Sequence, residues 1–182
     1  KEGAVSSMYG VVKTVDRELE IMDGTHELPQ YDTWSASYRL YQSLQFWPEG
    51  TIYVSVVDPG VGTSRRACVA KTVDGYYIVT PDNGSLTHVK RLIGIEAVRE
   101  IGYTAARLAS GIIDFEGVGP EYPVEEIVEH EMHEPVVEPG KAQGIFEIND
   151  PNFGNLWTNI PLKAFQEAGF AYGDHINVTV RH

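Results

Sequence analysis

The sequence predicts an α/β domain followed by a small β-rich domain, and three observations carry that expectation. Apolar β-branched runs alternate with segments of helical spacing over the first two thirds of the chain. A stretch rich in proline and glutamate, Gly117 to Gly140, then breaks the pattern. Short strand-like runs punctuated by Gly154, Gly169 and Gly173 follow it. The boundaries drawn from this are an α/β domain at 1–120, an acidic connector at 121–140 and a β-rich domain at 141–182.

The elements are justified in chain order. Val11 to Val15 is an apolar run after small residues and reads as a buried strand. Thr33 to Phe46 places Trp34, Tyr38 and Tyr41 at helical spacing with Leu40 and Leu44 alongside, capped by Asp32 or Thr33 and stopped by Pro48 and Gly50. Thr51 to Val57 is β-branched and reads as a strand ending at Asp58-Pro59-Gly60. Ala67 to Val73 and Tyr76 to Thr80 flank Asp74-Gly75, a strong hairpin signal. Ser85 is placed to cap a helix running to Ile93. Ala97 to Ile101 reads as a strand, and Tyr103 to Ser110 as a short helix ended by Gly111. Beyond the connector, Gly144 to Ile148 and Ile176 to Val180 read as strands.

Composition narrows the function. The 182 residues carry 14 basic and 26 acidic side chains, a net charge of −12. That balance argues against a nucleic-acid binder, whose phosphate contacts need a basic face. At 42% hydrophobic and 22% charged residues the chain can bury a core and is not built for disorder. No apolar run approaches the ~18 residues of a membrane helix. The single cysteine, Cys68, excludes an internal disulfide and permits a reducing compartment. No secretory leader is read in the sequence, and a cytoplasmic location is the expectation; the start at Lys1 rather than Met points to a natural start that is missing.

Two constellations stand out. Asp58-Pro-Gly-Val-Gly-Thr-Ser-Arg65-Arg66 follows a predicted buried strand, where open α/β sheets bind ligands. Its glycines permit tight turns that can fold Arg65 back on Asp58, and such a pair can hold a water or an anion. The plainer alternative is a glycine turn with a surface ion pair worth under ~1 kcal/mol. Neither the P-loop pattern nor a complete dinucleotide fingerprint is present. Asp150-Pro-Asn-Phe153-Gly-Asn155-Leu-Trp157-Thr-Asn159 supplies an amide suited to a purine edge, flat apolar faces, and a carboxylate for an ammonium. Its alternative is a β-turn whose aromatics belong to the core.

Pro81-Asp82-Asn83-Gly84 reads chiefly as a turn that starts a helix. Glu129-His130-Glu131-Met132-His133-Glu134 hints at a metal site, and a metal-dependent hydrolase is the rival it would support. The spacing is not H-E-x-x-H, and a solvated charge run is the favoured reading. No metal ligands are therefore assigned.

Taken in order, Val57-Asp58-Pro59-Gly60-Val61-Gly62-Thr63 with Arg65, then Pro81-Asp82-Asn83-Gly84, then Phe153-Gly154-Asn155-Leu156-Trp157-Thr158-Asn159-Ile160 resemble the S-adenosyl-L-methionine (SAM) hydroxide adenosyltransferases, relatives of the SAM-dependent fluorinase and chlorinase. The resemblance implies an N-terminal α/β domain with a central sheet flanked by helices, and a small C-terminal antiparallel β-barrel-like domain that binds adenine. It also implies a homotrimer acting on SAM and water to give adenosine and L-methionine, with SAM as substrate and no cofactor. Asp58 and Arg65 would hold the water. Asn155 would read adenine, Phe153 and Trp157 would line its pocket, Asp150 would hold the methionine amine, and Tyr31 would line the ligand. Asp58, where halogenases carry a tyrosine, favours hydroxide over halide. The alternatives are a non-catalytic SAM- or adenosine-binding trimer and a halogenase. The family pattern further implies a ribose-binding aspartate ahead of Lys1, a triad histidine before Tyr103 and closing strands after His182. None of these stands in the sequence, so the copy is either degenerate or a fragment joined across absent segments; the second is the expectation, with a break between Ile101 and Gly102.

Overall fold

The computed structural model describes residues 2–101, 105–151 and 153–181, in two units, Lys1–His130 and Glu131–His182. Gly102, and with it the proposed break after Ile101, lies outside the described residues.

In the first unit the elements are α1 (Glu2–Val15), α2 (Thr33–Leu44), β1 (Ile52–Val54), β2 (Ala67–Thr72), β3 (Tyr77–Pro81), α3 (Thr87–Leu92), β4 (Ile95–Glu100), α4 (Ala105–Ala109), β5 (Glu121–Tyr122) and a 3-10 turn at Val124–Glu126. The strands form one mixed sheet in the order β1-β3-β2-β4-β5. β1 and β3 run parallel, and every other pairing is antiparallel. The β2–β3 hairpin turns at Asp74-Gly75 as expected, with Gly75 at φ 81°, which only glycine adopts without strain. A Cβ there would also lie 2.7 Å from the Glu49 side chain.

Alternation along β2 sorts side chains to two faces. Cys68 and Ala70 join Leu40, Leu44, Ile78, Leu86, Val89 and Ile127 on the face covered by α2 and α3. Val69 joins Val79, Phe115 and Val118 on the other, with Leu108 of α4 packed alongside. Each fully buried aliphatic side chain contributes about 1.5–3 kcal/mol. The Asp32 cap of α2 holds as expected: its carboxylate accepts from the Ser35 amide at 3.0 Å.

Four expectations are corrected here. Residues 11–15 are helix, not strand. Val5, Tyr9 and Val12 form the half-buried stripe at helical spacing, and Val11 is exposed. Ser85 does not cap α3, because its hydroxyl donates to Asn83 Oδ1 and the cap residue is Leu86. The first half of the acidic stretch is not a free connector. Pro120 and Pro123 bracket β5, which adds an edge strand to β4, and Ile127 enters the core. Finally, residues 176–180 form no strand.

The second unit holds two hairpins, β6 (Val136–Glu138) with β7 (Lys141–Gln143) and β8 (Phe146–Asp150) with β9 (Asn155–Thr158), then α5 (Leu162–Glu167). Among the described residues these remain two separate two-stranded sheets. Asn159 ties its own segment down: its Oδ1 accepts from the Ile145 amide at 2.8 Å and its Nδ2 donates to the His133 carbonyl. Gly144 must be small there, since a Cβ would fall 2.2 Å from Asn159 Oδ1.

Candidate functional site

The loop after β1 is organised by its own side chains. Asp58 Oδ1 accepts from the Gly60 amide at 3.0 Å, an Asx-type turn. Thr63 closes the next turn through its hydroxyl to the Gly60 carbonyl at 2.7 Å, and Gly62 takes φ 82°. This curl carries Arg65 back so that its Nη2 donates to Asp58 Oδ2 in an ion pair, while Nη1 donates to the Arg66 carbonyl. The two side chains are 10% and 18% exposed, so the pair is screened from most solvent and still reachable from it. Arg65 Nε is buried and has no hydrogen-bond partner among the described residues. The arrangement is a carboxylate and a guanidinium locked together at a sheet edge, with one donor in reserve.

Behind it stands a network that sequence reasoning did not connect to this loop. Asp82, 3% exposed, accepts from the Val128 amide at 2.8 Å and from the Tyr122 hydroxyl at 3.1 Å, with Arg66 Nε at 3.8 Å. The Arg66 guanidinium lies 4.1 Å from the Tyr122 ring centroid, a cation–π contact. Burial, with Cys68 and Asp82 beside it, raises the Tyr122 hydroxyl pKa above the ordinary tyrosine value. Burial likewise pushes the Cys68 thiol up to about 12, so it is no nucleophile at neutral pH.

In the second unit, four sequence-predicted residues meet at one hairpin end. Asp150 and Asn155 face each other across β8 and β9, and the Asp150 carbonyl accepts from the Phe153 amide at 3.1 Å. Gly154 supplies φ 69°. Phe153 is 78% exposed, and Trp157 also reaches solvent, so neither ring belongs to the core of its own unit. Exposed Asn155 sits two residues from Trp157 on the same strand, which puts amide and indole on one face. Tyr31 lies on a different element, at the entry to α2 in the first unit, exposed and at φ 66°, a left-handed conformation costing roughly 1–2 kcal/mol outside glycine.

The acidic histidine run is not a solvated charge run at its start. Glu129 accepts from Lys90 Nζ and Arg91 Nε, both at 2.7 Å. His130 Nε2 lies 2.9 Å from Thr33 Oγ1, and its amide donates to Thr87. Among the described residues no group of three or more His, Cys, Asp and Glu side chains is placed to share an ion.

Comparison with known proteins bears on the chain's family and fold. Residues 1–116 match the model of the SAM hydroxide adenosyltransferase N-terminal domain. The chain is 30% identical to a protein of Methanocaldococcus jannaschii named (R)-S-adenosyl-L-methionine hydrolase, over all of this chain and 70% of that one. It is 22% identical to a protein of Actinopolyspora mzabensis named fluorinase, over 98% of this chain and 74% of that one. Its fold resembles the crystal structure of an uncharacterized conserved protein from Thermotoga maritima, with a TM-score of 0.85 and 34% identity, covering 93% of this chain and 71% of that one.

Proposed function

Since the chain belongs to the SAM hydroxide adenosyltransferase family, we infer that it hydrolyses S-adenosyl-L-methionine to adenosine and L-methionine. The observation that carries this is the locked Asp58–Arg65 pair in the loop after β1.

The chemistry makes modest demands. The sulfonium of SAM is already an activated leaving group, so no general acid is needed at sulfur. The nucleophile is the difficulty, because free water has a pKa of roughly 15.7. Water oxygen attacks C5′, the C5′–S bond breaks with its electron pair going to sulfur, and the surplus proton leaves to solvent. The Arg65 guanidinium favours hydroxide character on the attacking oxygen. The Asp58 carboxylate accepts a hydrogen bond from the water and aims its lone pair. Holding the attacker in line supplies most of the remainder, since positioning is worth roughly 7–11 kcal/mol. This scheme uses no metal and no cofactor.

In the same reading Asn155 bonds the adenine edge, Phe153 and Trp157 flank the base, Asp150 holds the methionine ammonium and Tyr31 lines the ligand. The exposure of Phe153 and Trp157 supports them as ligand walls. The reading extends to a homotrimer with a C-terminal barrel-like domain, to which the separate antiparallel hairpins β6–β7 and β8–β9 would contribute strands. A monomeric mass in analytical ultracentrifugation would reject the trimer. A cytoplasmic setting is supported by the single, buried cysteine, and the net charge of −12 speaks against a nucleic-acid partner. Among the described residues no helix is long and apolar enough to cross a membrane.

The test is purified protein with each sulfonium epimer of SAM, since the M. jannaschii relative carries the (R) prefix in its name. We expect adenosine and methionine in equal amounts from the (R) epimer, independent of added halide. Product that requires chloride or fluoride would favour a halogenase instead. Saturable SAM binding without product would favour the non-catalytic trimer.

A further inference from the structure

We propose that Asp82 and Asn83 are positioning residues that clamp both stems of the Asp58–Arg65 loop, so that the motif at 81–84 is a working part of the hydrolytic site rather than a turn that merely starts α3. This rests on the hydrolase reading and adds residues to it.

The topology makes the clamp possible. β3 lies between β1 and β2, parallel to the first and antiparallel to the second. The C-terminal end of β3 therefore falls at the sheet edge where β1 ends and β2 begins. The loop leaves β1 and enters β2 at that edge, so residues 82 and 83 emerge between its two stems.

The bonds use that position. On the outgoing stem, Asn83 Nδ2 donates to the Val57 carbonyl at 2.8 Å, one residue before Asp58. On the returning stem, the Asp82 amide donates to the Arg66 carbonyl at 3.0 Å, the same oxygen that accepts from Arg65 Nη1. The Asp82 carboxylate also faces Arg66 Nε and is itself held by Tyr122 and Val128. Asn83 is fixed in turn, because its Oδ1 accepts from the Ser85 amide at 3.2 Å and hydroxyl at 2.7 Å. Gly84, at φ 97°, lets the chain turn away. A Cβ there would lie 2.6 Å from His130 Nε2, so this position tolerates no side chain without moving that ring. A self-contained turn would bond within residues 81–85. This one spends an amide and a backbone N–H on another loop, one on each side of the catalytic pair.

The decisive variant is Asn83→Asp, which keeps the acceptors for Ser85 and replaces the donor to Val57 with a carboxylate oxygen that repels it. We expect kcat for adenosine release to fall about tenfold or more, with KM for SAM within about threefold, because positioning acts on the transition state more than on binding. Amide hydrogen exchange across 55–66 should rise at least about fivefold, as a lost stem bond lowers the local opening energy. Tyr122→Phe, which removes the hydroxyl donor to Asp82, should raise exchange around Arg66 and lower kcat to a smaller degree. It decides the matter if Asn83→Asp does not fold. Unchanged exchange at 55–66, or a kcat equal to that of the parent, overturns the clamp. Absence of adenosine from the parent protein would instead overturn the hydrolase reading, and the exchange measurement would still judge the clamp.

Discussion

Asp58 and Arg65 are seven residues apart in sequence and share one ion pair because Gly60, Gly62 and the Thr63 hydroxyl curl the loop between them. In the proposed mechanism, replacing either with alanine removes one side of the grip on water. We expect Asp58→Ala and Arg65→Ala each to lower kcat by about 10²–10³, the range typical of losing one polar group aimed at the reacting atoms. Adenosine affinity, measured by calorimetry, should stay within about twofold, because that nucleoside is held by other residues. Asn155→Ala should do the reverse, weakening adenosine by about tenfold, the usual worth of a good hydrogen bond. Unchanged turnover in both loop variants would remove the mechanism. At this scale the sequence was informative where the partners lie in one short loop, as in the Asp58–Arg65 ion pair. It was silent on Asn83, whose amide partner Val57 is 26 positions away. A turn-forming tetrapeptide looks the same whether its side chains bond their own turn or a distant one.

Among elements, the ones read correctly were those whose pattern is set by burial: α2 with its apolar stripe and Asp32 cap, and the β2–β3 hairpin with its Asp-Gly turn. The errors lay where burial is weak or local composition misleads. Most α1 side chains lie at the surface, so the β-branched content of residues 11–15 outweighed the faint helical spacing of Val5, Tyr9 and Val12. The proline-rich run at 120–130 looked like a linker, yet its prolines only bound a two-residue edge strand and deliver Ile127 to the core. Glu129 pins that segment to α3. Burial opposes its charged form, but Lys90 and Arg91 more than offset this and hold its carboxyl below the usual glutamate range. A depressed carboxyl pKa contributes stability above the unfolded value, ~4.3, and that contribution is lost as pH falls through the folded value. Melting temperatures of Glu129→Gln should therefore sit below those of the parent at pH 7 and converge with them below about pH 4. A constant gap down to pH 3 would show that the ion pairs contribute nothing.

On the scale of the whole molecule, the proposed water-holding pair lies in the unit Lys1–His130 and the proposed adenine-reading residues in the unit Glu131–His182. Both groups were singled out from the sequence because each sits in one contiguous motif. The central claim is that solvent oxygen, aimed by Asp58 and Arg65, displaces methionine at C5′. It is tested most directly by turning over SAM in water enriched in oxygen-18 and weighing the adenosine by mass spectrometry. The account predicts that one solvent oxygen enters O5′ of each adenosine formed, so that the labelled fraction equals the enrichment of the water. Adenosine released without label, or a nucleoside product other than adenosine, would contradict it.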